Sequence, residues 1–152
     1  MFNIVLHEPE IPQNTGNIAR TCAATGCKLH IIEPIAFSID DRQVKRAGLD
    51  YWDKVFVKTY PDFGAYLREN DGPVFPVSTK GEKRYTDAQF PAGASLLFGK
   101  ETAGLPADIL QAYQDTTVRI PMRKDLRSLN LSNSVAILVY EALRQHGFAG
   151  LV

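Results

Sequence analysis

Residues 96–106 read Leu96-Leu97-Phe98-Gly99-Lys100-Glu101-Thr102-Ala103-Gly104-Leu105-Pro106, and this stretch decides the fold class. The bulky apolar run from Ser95 to Phe98 predicts a strand covered on both faces. Gly99 ends it, a polar loop carries Glu101, and a helix begins near Pro106. Buried strand, short loop and helix form the repeating unit of a parallel α/β sheet, in which ligands collect beyond the carboxyl ends of strands. The two glycines let backbone approach a ligand closely. Without a ligand the segment is a plain strand-to-helix turn. That reading accounts for Gly104 and Pro106 better than for Lys100-Glu101-Thr102.

The same unit recurs on either side. Strands are expected at residues 2–6, 28–32, 54–57, 74–78, 95–98 and 116–120. Helices are expected at 14–25, with Asn14 as its cap and Gly26 as its stop, at 40–48, at 61–69, from Pro106, and at 132–145. Strands alternating with helices predict an α/β fold with a largely parallel sheet between helix layers. The 152 residues, with no internal repeat or linker, fit one domain.

Composition narrows the function. Met1-Phe2-Asn3 runs into an apolar strand followed by Glu8 and Glu10, so no secretory signal is expected. No apolar run approaches the ~20 residues of a membrane span. The spacing of Cys22 and Cys27 suits neither a metal knuckle nor a redox pair, and points to reduced thiols in a cytosolic protein. Net charge is zero, so the bulk basic signal of a nucleic-acid binder is absent. The positive charges are bunched, however: Arg42, Lys45 and Arg46; Lys80, Lys83 and Arg84; and Arg119, Arg123, Lys124 and Arg127. Each cluster alone reads as solvated surface, and together they favour a localised anionic site.

Several chemistries are disfavoured. The chain has no G-x-G-x-x-G, no G-x-x-x-x-G-K-[ST] and no G-x-S-x-G. His7, His30 and His146 lack metal-ligand spacing, and no base accompanies Cys22. In the final helix Val135, Ala136, Val139, Ala142 and Leu143 form one stripe, with Ile137 and Leu138 outside it. One sheet face cannot bury both sides, so either another element of the same chain or a second subunit covers the rest, and in a chain this small the subunit is favoured.

Two further segments carry polar groups where chemistry is possible. In Pro12-Gln13-Asn14-Thr15-Gly16-Asn17-Ile18-Ala19-Arg20, the helical wheel puts Ile18, Ala19, Cys22 and Ala23 on one side and Asn17, Arg20 and Ala24 on the other. A helix N-terminus with Gly16, amides and an arginine can bind phosphate; a capped surface helix is the plain alternative. In Arg119-Ile120-Pro121-Met122 and Arg127-Ser128-Leu129-Asn130-Leu131-Ser132-Asn133-Ser134, a strand ends at a proline and a polar loop re-enters a helix. Ser132 or Asn133 fits a cap. Ser128 and Asn130 stand too early for one and suggest a lined pocket.

Together the three segments resemble the three motifs of the SPOUT superfamily, in its SpoU branch of ribose 2′-O-methyltransferases. The first corresponds to Asn14, Gly16, Asn17 and Arg20, the second to Gly99, Glu101 and Gly104, the third to Ile120, Pro121, Ser128, Leu129 and Asn130. The chain is similar above all to the TrmL family, through Asn3-Ile4-Val5-Leu6, Glu8-Pro9-Glu10-Ile11-Pro12, His30-Ile31-Ile32-Glu33-Pro34, Arg46-Ala47-Gly48-Leu49-Asp50-Tyr51 and Tyr140-Glu141-Ala142. Residues 82–91 carry no such pattern.

The resemblance implies a single SPOUT domain over residues 1–152, with a C-terminal trefoil knot. It implies S-adenosylmethionine held by Val77, Gly99, Ile120, Ser128 and Leu129, and a homodimer with shared sites. It implies methylation of the ribose 2′-hydroxyl of the wobble pyrimidine nucleotide in leucine tRNAs. Arg20, Asn14, Glu101 and Asn130 are the implied catalytic group, Arg42, Lys45 and Arg46 are expected to hold tRNA, and no metal is expected. A non-catalytic RNA-binding or ribosome-assembly protein would keep the basic clusters without a donor pocket. A base-directed relative would change the modified atom.

Overall fold

Along β1 (Asn3–His7) successive side chains enter different cores. Phe2, Ile4 and Leu6 join a large cluster with Leu29, Ile31, Leu96 and Phe98, whereas Val5 joins a smaller one with Ile32, Leu97 and Val74. This is the two-residue period of a strand buried on both faces. The computed structural model describes the backbone of residues 1–152 and every side chain outside residues 48–50. The resemblance quoted at residues 46–51 therefore lies partly outside the described side chains.

The remaining strands are β2 (Lys28–Ile32), β3 (Val57–Tyr60), β4 (Val74–Val77), β5 (Lys83–Arg84), β6 (Ser95–Phe98) and β7 (Val118–Arg119). They form one seven-stranded sheet in the order β3-β2-β1-β6-β4-β7-β5, and the pairs are parallel. The helices are α1 (Pro12–Thr25), α2 (Arg42–Gly48), α3 (Phe63–Glu69), α4 (Ala107–Ala112) and α5 (Leu131–Gln145), with 3-10 turns at Leu49–Lys54 and Tyr85–Asp87. Residues of α1 and α5 complete the larger core, and those of α3 and α4 the smaller. The expected parallel α/β sheet is what forms.

Some boundaries differ from expectation. The strand expected at 54–57 lies at Val57–Tyr60, after a 3-10 turn. Its register against β2 sets Ile32 beside Tyr60 and places the Tyr60 hydroxyl 2.9 Å from His30 Nδ1. The expected strands 74–78 and 116–120 shorten to Val74–Val77 and Val118–Arg119, and β5 arises in the stretch that carried no pattern. Helix α1 begins at Pro12, with Ile11 as its cap residue. Asn14 is therefore not the cap.

The reading of the final helix needs correction too. Leu138 is fully buried, and half-buried Ile137 packs against the larger core. α5 is flanked by α1, β6 and the turn Tyr85–Asp87, so elements of the same chain cover both sides. The apolar excess of α5 carries no argument for a second subunit.

Candidate active site

The loops after β1, β4, β6 and β7 meet beyond the carboxyl ends of the strands. There they enclose a cavity of about 620 Å³. Ligand sites of this kind span roughly 300–1,000 Å³. Val77, Gly99, Ile120, Ser128 and Leu129 all line it, as do Asn14, Glu101 and Asn130. Lys80, Phe98, Lys100 and Leu105, named above without a role in the cavity, line it as well, and so do Ser78 and Thr79, which were not named from the sequence. Ser78, Thr79 and Lys80 follow the carboxyl end of β4, so the strand-end rule that selected Gly99 would have found them.

The walls are held by a dense clasp between the segment after β1 and the loop after β6. Lys100 Nζ pairs with the Glu8 carboxylate at 3.3 Å. The Thr102 amide and hydroxyl both donate to Glu10 Oε1, at 3.0 and 2.7 Å. These two bonds hold the Glu10 carboxyl below the usual carboxylate range. Glu8 itself takes a left-handed conformation, φ 55°, which a non-glycine residue adopts only where its surroundings impose it.

Glu101 completes the clasp. Its carboxylate accepts the backbone N–H of Glu10 at 2.9 Å and of Ile11 at 2.6 Å, and the Asn14 side-chain amide at 3.3 Å. It thus satisfies two backbone donors at and just before Ile11, the cap residue of α1, which makes no side-chain cap bond of its own. A carboxylate of the protein itself therefore sits at this helix end, away from Arg20.

From Asn14 the chain of bonds continues. Asn14 Oδ1 accepts from Asn130 Nδ2 at 3.1 Å. Asn130 Oδ1 in turn accepts the Ser132 hydroxyl at 2.6 Å and the Asn133 backbone N–H at 3.2 Å. Asn130 is thus the N-cap of α5, contrary to the expectation that it stands too early for one. Glu101, Asn14 and Asn130 tie the three sequence segments into one relay.

Arg20 lies elsewhere. It is exposed and lines a separate groove of about 370 Å³ with Asn17, Thr21, Ser132, Asn133 and Tyr140. The predicted split of α1 holds, since Ile18, Ala19 and Cys22 are buried while Asn17, Arg20 and Ala24 are exposed. Arg42, Lys45 and Arg46 are exposed on α2, with Lys45 3.5 Å from Asp40, and none of them lines the cavity.

S-adenosylmethionine fits this lining. Apolar side chains of Val77, Phe98, Leu105 and Ile120 suit a purine ring. The hydroxyls of Ser78, Thr79 and Ser128, with Lys80 and Arg127, suit ribose and an amino-acid tail.

Comparison with known proteins agrees. The model of the SpoU rRNA Methylase family matches residues 1–140. A tRNA (cytidine(34)-2′-O)-methyltransferase of Escherichia coli strain K12 is 51% identical over 154 residues, covering 100% of this chain and 98% of that protein. A solved structure reported as "Structural insights into the 2-OH methylation of C/U34 on tRNA" superposes with a TM-score of 0.93 at 44% identity, covering 97% of each chain. The SpoU methyltransferase AviRb from Streptomyces viridochromogenes, in complex with the cofactor AdoMet, superposes with a TM-score of 0.86 at 26% identity, covering 95% of this chain and 57% of that one.

Proposed function

This chain belongs to the SpoU rRNA Methylase family, and on that premise we propose that it methylates the ribose 2′-hydroxyl of the wobble nucleotide of tRNA, using S-adenosylmethionine. The observation that carries the reading is the cavity at the strand ends, where the Gly99, Glu101 and Asn130 loops converge with a lining suited to that cofactor. We take the substrate nucleotide to be the pyrimidine at position 34 of leucine tRNAs, and the 152 residues to act as one domain in the cytoplasm. Among the described residues no helix is long and apolar enough to cross a membrane.

When bound, the cofactor supplies a methyl group already activated on a sulfonium. The chain must then position the hydroxyl and lower the cost of charge on its oxygen. A ribose hydroxyl is a very weak acid, so ionising it fully before transfer at neutral pH is costly. A guanidinium is a poor base but a strong forked donor. Arg20 clamps the neighbouring phosphate and, as a guanidinium, donates to the developing oxyanion; it is already protonated, so the hydroxyl proton leaves to solvent water as the methyl group is transferred. Val77, Gly99, Ile120, Ser128 and Leu129 hold the cofactor. Asn14, Glu101 and Asn130 fix the cavity walls and the helix that carries Arg20. Arg42, Lys45 and Arg46 hold the tRNA backbone.

Arg20 lines a different groove from the cofactor cavity, and this supports a homodimer in which a second copy supplies it. The sheet order supports a trefoil knot. β7 lies between β4 and β5, so the late chain passes between strands joined earlier in the sequence. The test is methyl transfer to bulk tRNA with the product nucleoside identified by mass spectrometry. A 2′-O-methylated pyrimidine at position 34 is expected. A methylated base, or tRNA binding without transfer, would overturn the reading.

A further inference from the structure

We propose that Tyr51 is a positioning residue for Arg20, holding the guanidinium over its ring in place for the RNA. This rests on the role given to Arg20 above. The Arg20 guanidinium carbon lies 5.0 Å from the centroid of the Tyr51 ring. Both residues are surface residues, Tyr51 being 37% exposed. The ring is not on a loose segment. It belongs to the 3-10 turn Leu49–Lys54, which packs on α1, and the adjacent Trp52 and nearby Val55 are half-buried against the larger core.

The geometry of the two groups gives the pairing its use. A guanidinium is planar and its N–H donors all lie in that plane. A carboxylate partner would occupy a pair of those donors and offset the charge. An aromatic ring holds the cation through its quadrupole, without the offsetting charge and the forked acceptor pair of a carboxylate. A long side chain on an open helix face samples many rotamers, and an aromatic partner limits that freedom while leaving the charge uncompensated for a phosphate or a developing oxyanion. The same stretch of chain carries exposed Arg42, Lys45 and Arg46 on α2 immediately before the turn. One continuous segment thus offers backbone contacts for tRNA and the ring that orients Arg20.

The test uses the full chain with Tyr51→Leu, Tyr51→Gln and Tyr51→Phe, each alone and with Arg20→Ala. Single-turnover methyl transfer is measured at saturating S-adenosylmethionine and tRNA, cofactor affinity by calorimetry, and folding by thermal melting. Tyr51→Leu and Tyr51→Gln are expected to slow transfer about tenfold with unchanged cofactor affinity, and Tyr51→Phe to recover most of the rate. In the Arg20→Ala background, Tyr51→Leu is expected to cost nothing more. Should Tyr51→Leu fail to fold, the polar Tyr51→Gln carries the same comparison at this surface position. Wild-type rates in the non-aromatic variants overturn the proposal, as does an equal loss with and without Arg20. A fast Arg20→Ala enzyme would instead remove the role given to Arg20, whereas slow Arg20→Ala beside fast Tyr51 variants removes only Tyr51.

Discussion

A β-carbon added at Gly99 would lie 2.1 Å from the carbonyl carbon of Gly104 and 2.4 Å from the Leu105 nitrogen. The sequence reading expects Gly99 to be small so that a ligand can approach. The structure shows that its own chain already presses there, where Lys100 and Gly104 bridge across the loop. Backbone cannot yield as a flexible side chain can, so Gly99→Ala should displace the loop, cost about 1–3 kcal/mol of stability, and weaken cofactor binding at least tenfold. A variant that melts and binds like the wild type would contradict this. His30 offers a second check. Asn3 donates to the Gly93 carbonyl, so its Oδ1 faces His30 Nε2, while Tyr60 donates to Nδ1. The ring is neutral and carries its proton on Nε2. Burial, with Lys28 and Lys58 adding, pushes its pKa down to about 4 from 6.5. Between these values the unfolded chain takes up a proton that the folded chain refuses. Stability should therefore fall as pH drops from about 6.5 to 4, by up to about 3 kcal/mol. Ring titration by NMR should show no protonation above pH 5, and a midpoint near 6.5 would refute the assignment.

Helix α1 has no side-chain cap of its own, and Glu101, ninety residues from Ile11, instead accepts the backbone N–H groups of Glu10 and Ile11 at its start. Glu101→Ala should cost about 1–2 kcal/mol by leaving the Glu10 and Ile11 amides unmet beside a helix dipole, and Glu101→Gln should cost less. Urea denaturation checks both, and an unchanged midpoint for Glu101→Ala would return Glu101 to a purely chemical role. Such long-range caps are illegible in a sequence, where capping is sought within a few residues. The strands β2 and β6 were read to the residue, because fully buried apolar runs between breakers admit one assignment. β3 was placed three residues early, since Val55 and Val57 fit a strand equally well until Tyr60 is known to meet His30. The two-residue strand β5 pairs only with β7, at the far edge of the sheet, and is not visible in its own sequence, whereas β7 lies inside the expected strand 116–120. The expected start of the final helix at Ser132 lies one residue after its actual start at Leu131, and that one residue decides whether Asn130 stands at the cap position.

At the scale of the molecule, the cavity and the identity of Arg20 are legible in the sequence, but the separation of Arg20 from that cavity is not. Strand ends and loop glycines mark the cavity locally. Which groove Arg20 faces depends on how α1 packs against α5. The expectation that α5 needs a second subunit failed because a helical wheel counts the faces of one helix but not the neighbours available to it. Leu138→Asp should accordingly unfold the chain rather than split a dimer, since an unpaired buried charge costs several kcal/mol. A folded monomer on sedimentation would contradict that. If the site is shared between copies, mixing Arg20→Ala chains with chains disabled in the cofactor cavity should restore activity that neither has alone. The most direct test of the whole account is Arg20→Ala, assayed for cofactor affinity and for single-turnover transfer with both substrates saturating. Cofactor affinity should stay within about twofold while transfer falls by a hundredfold or more, as expected on losing a charge stabiliser. Transfer at the wild-type rate would contradict it.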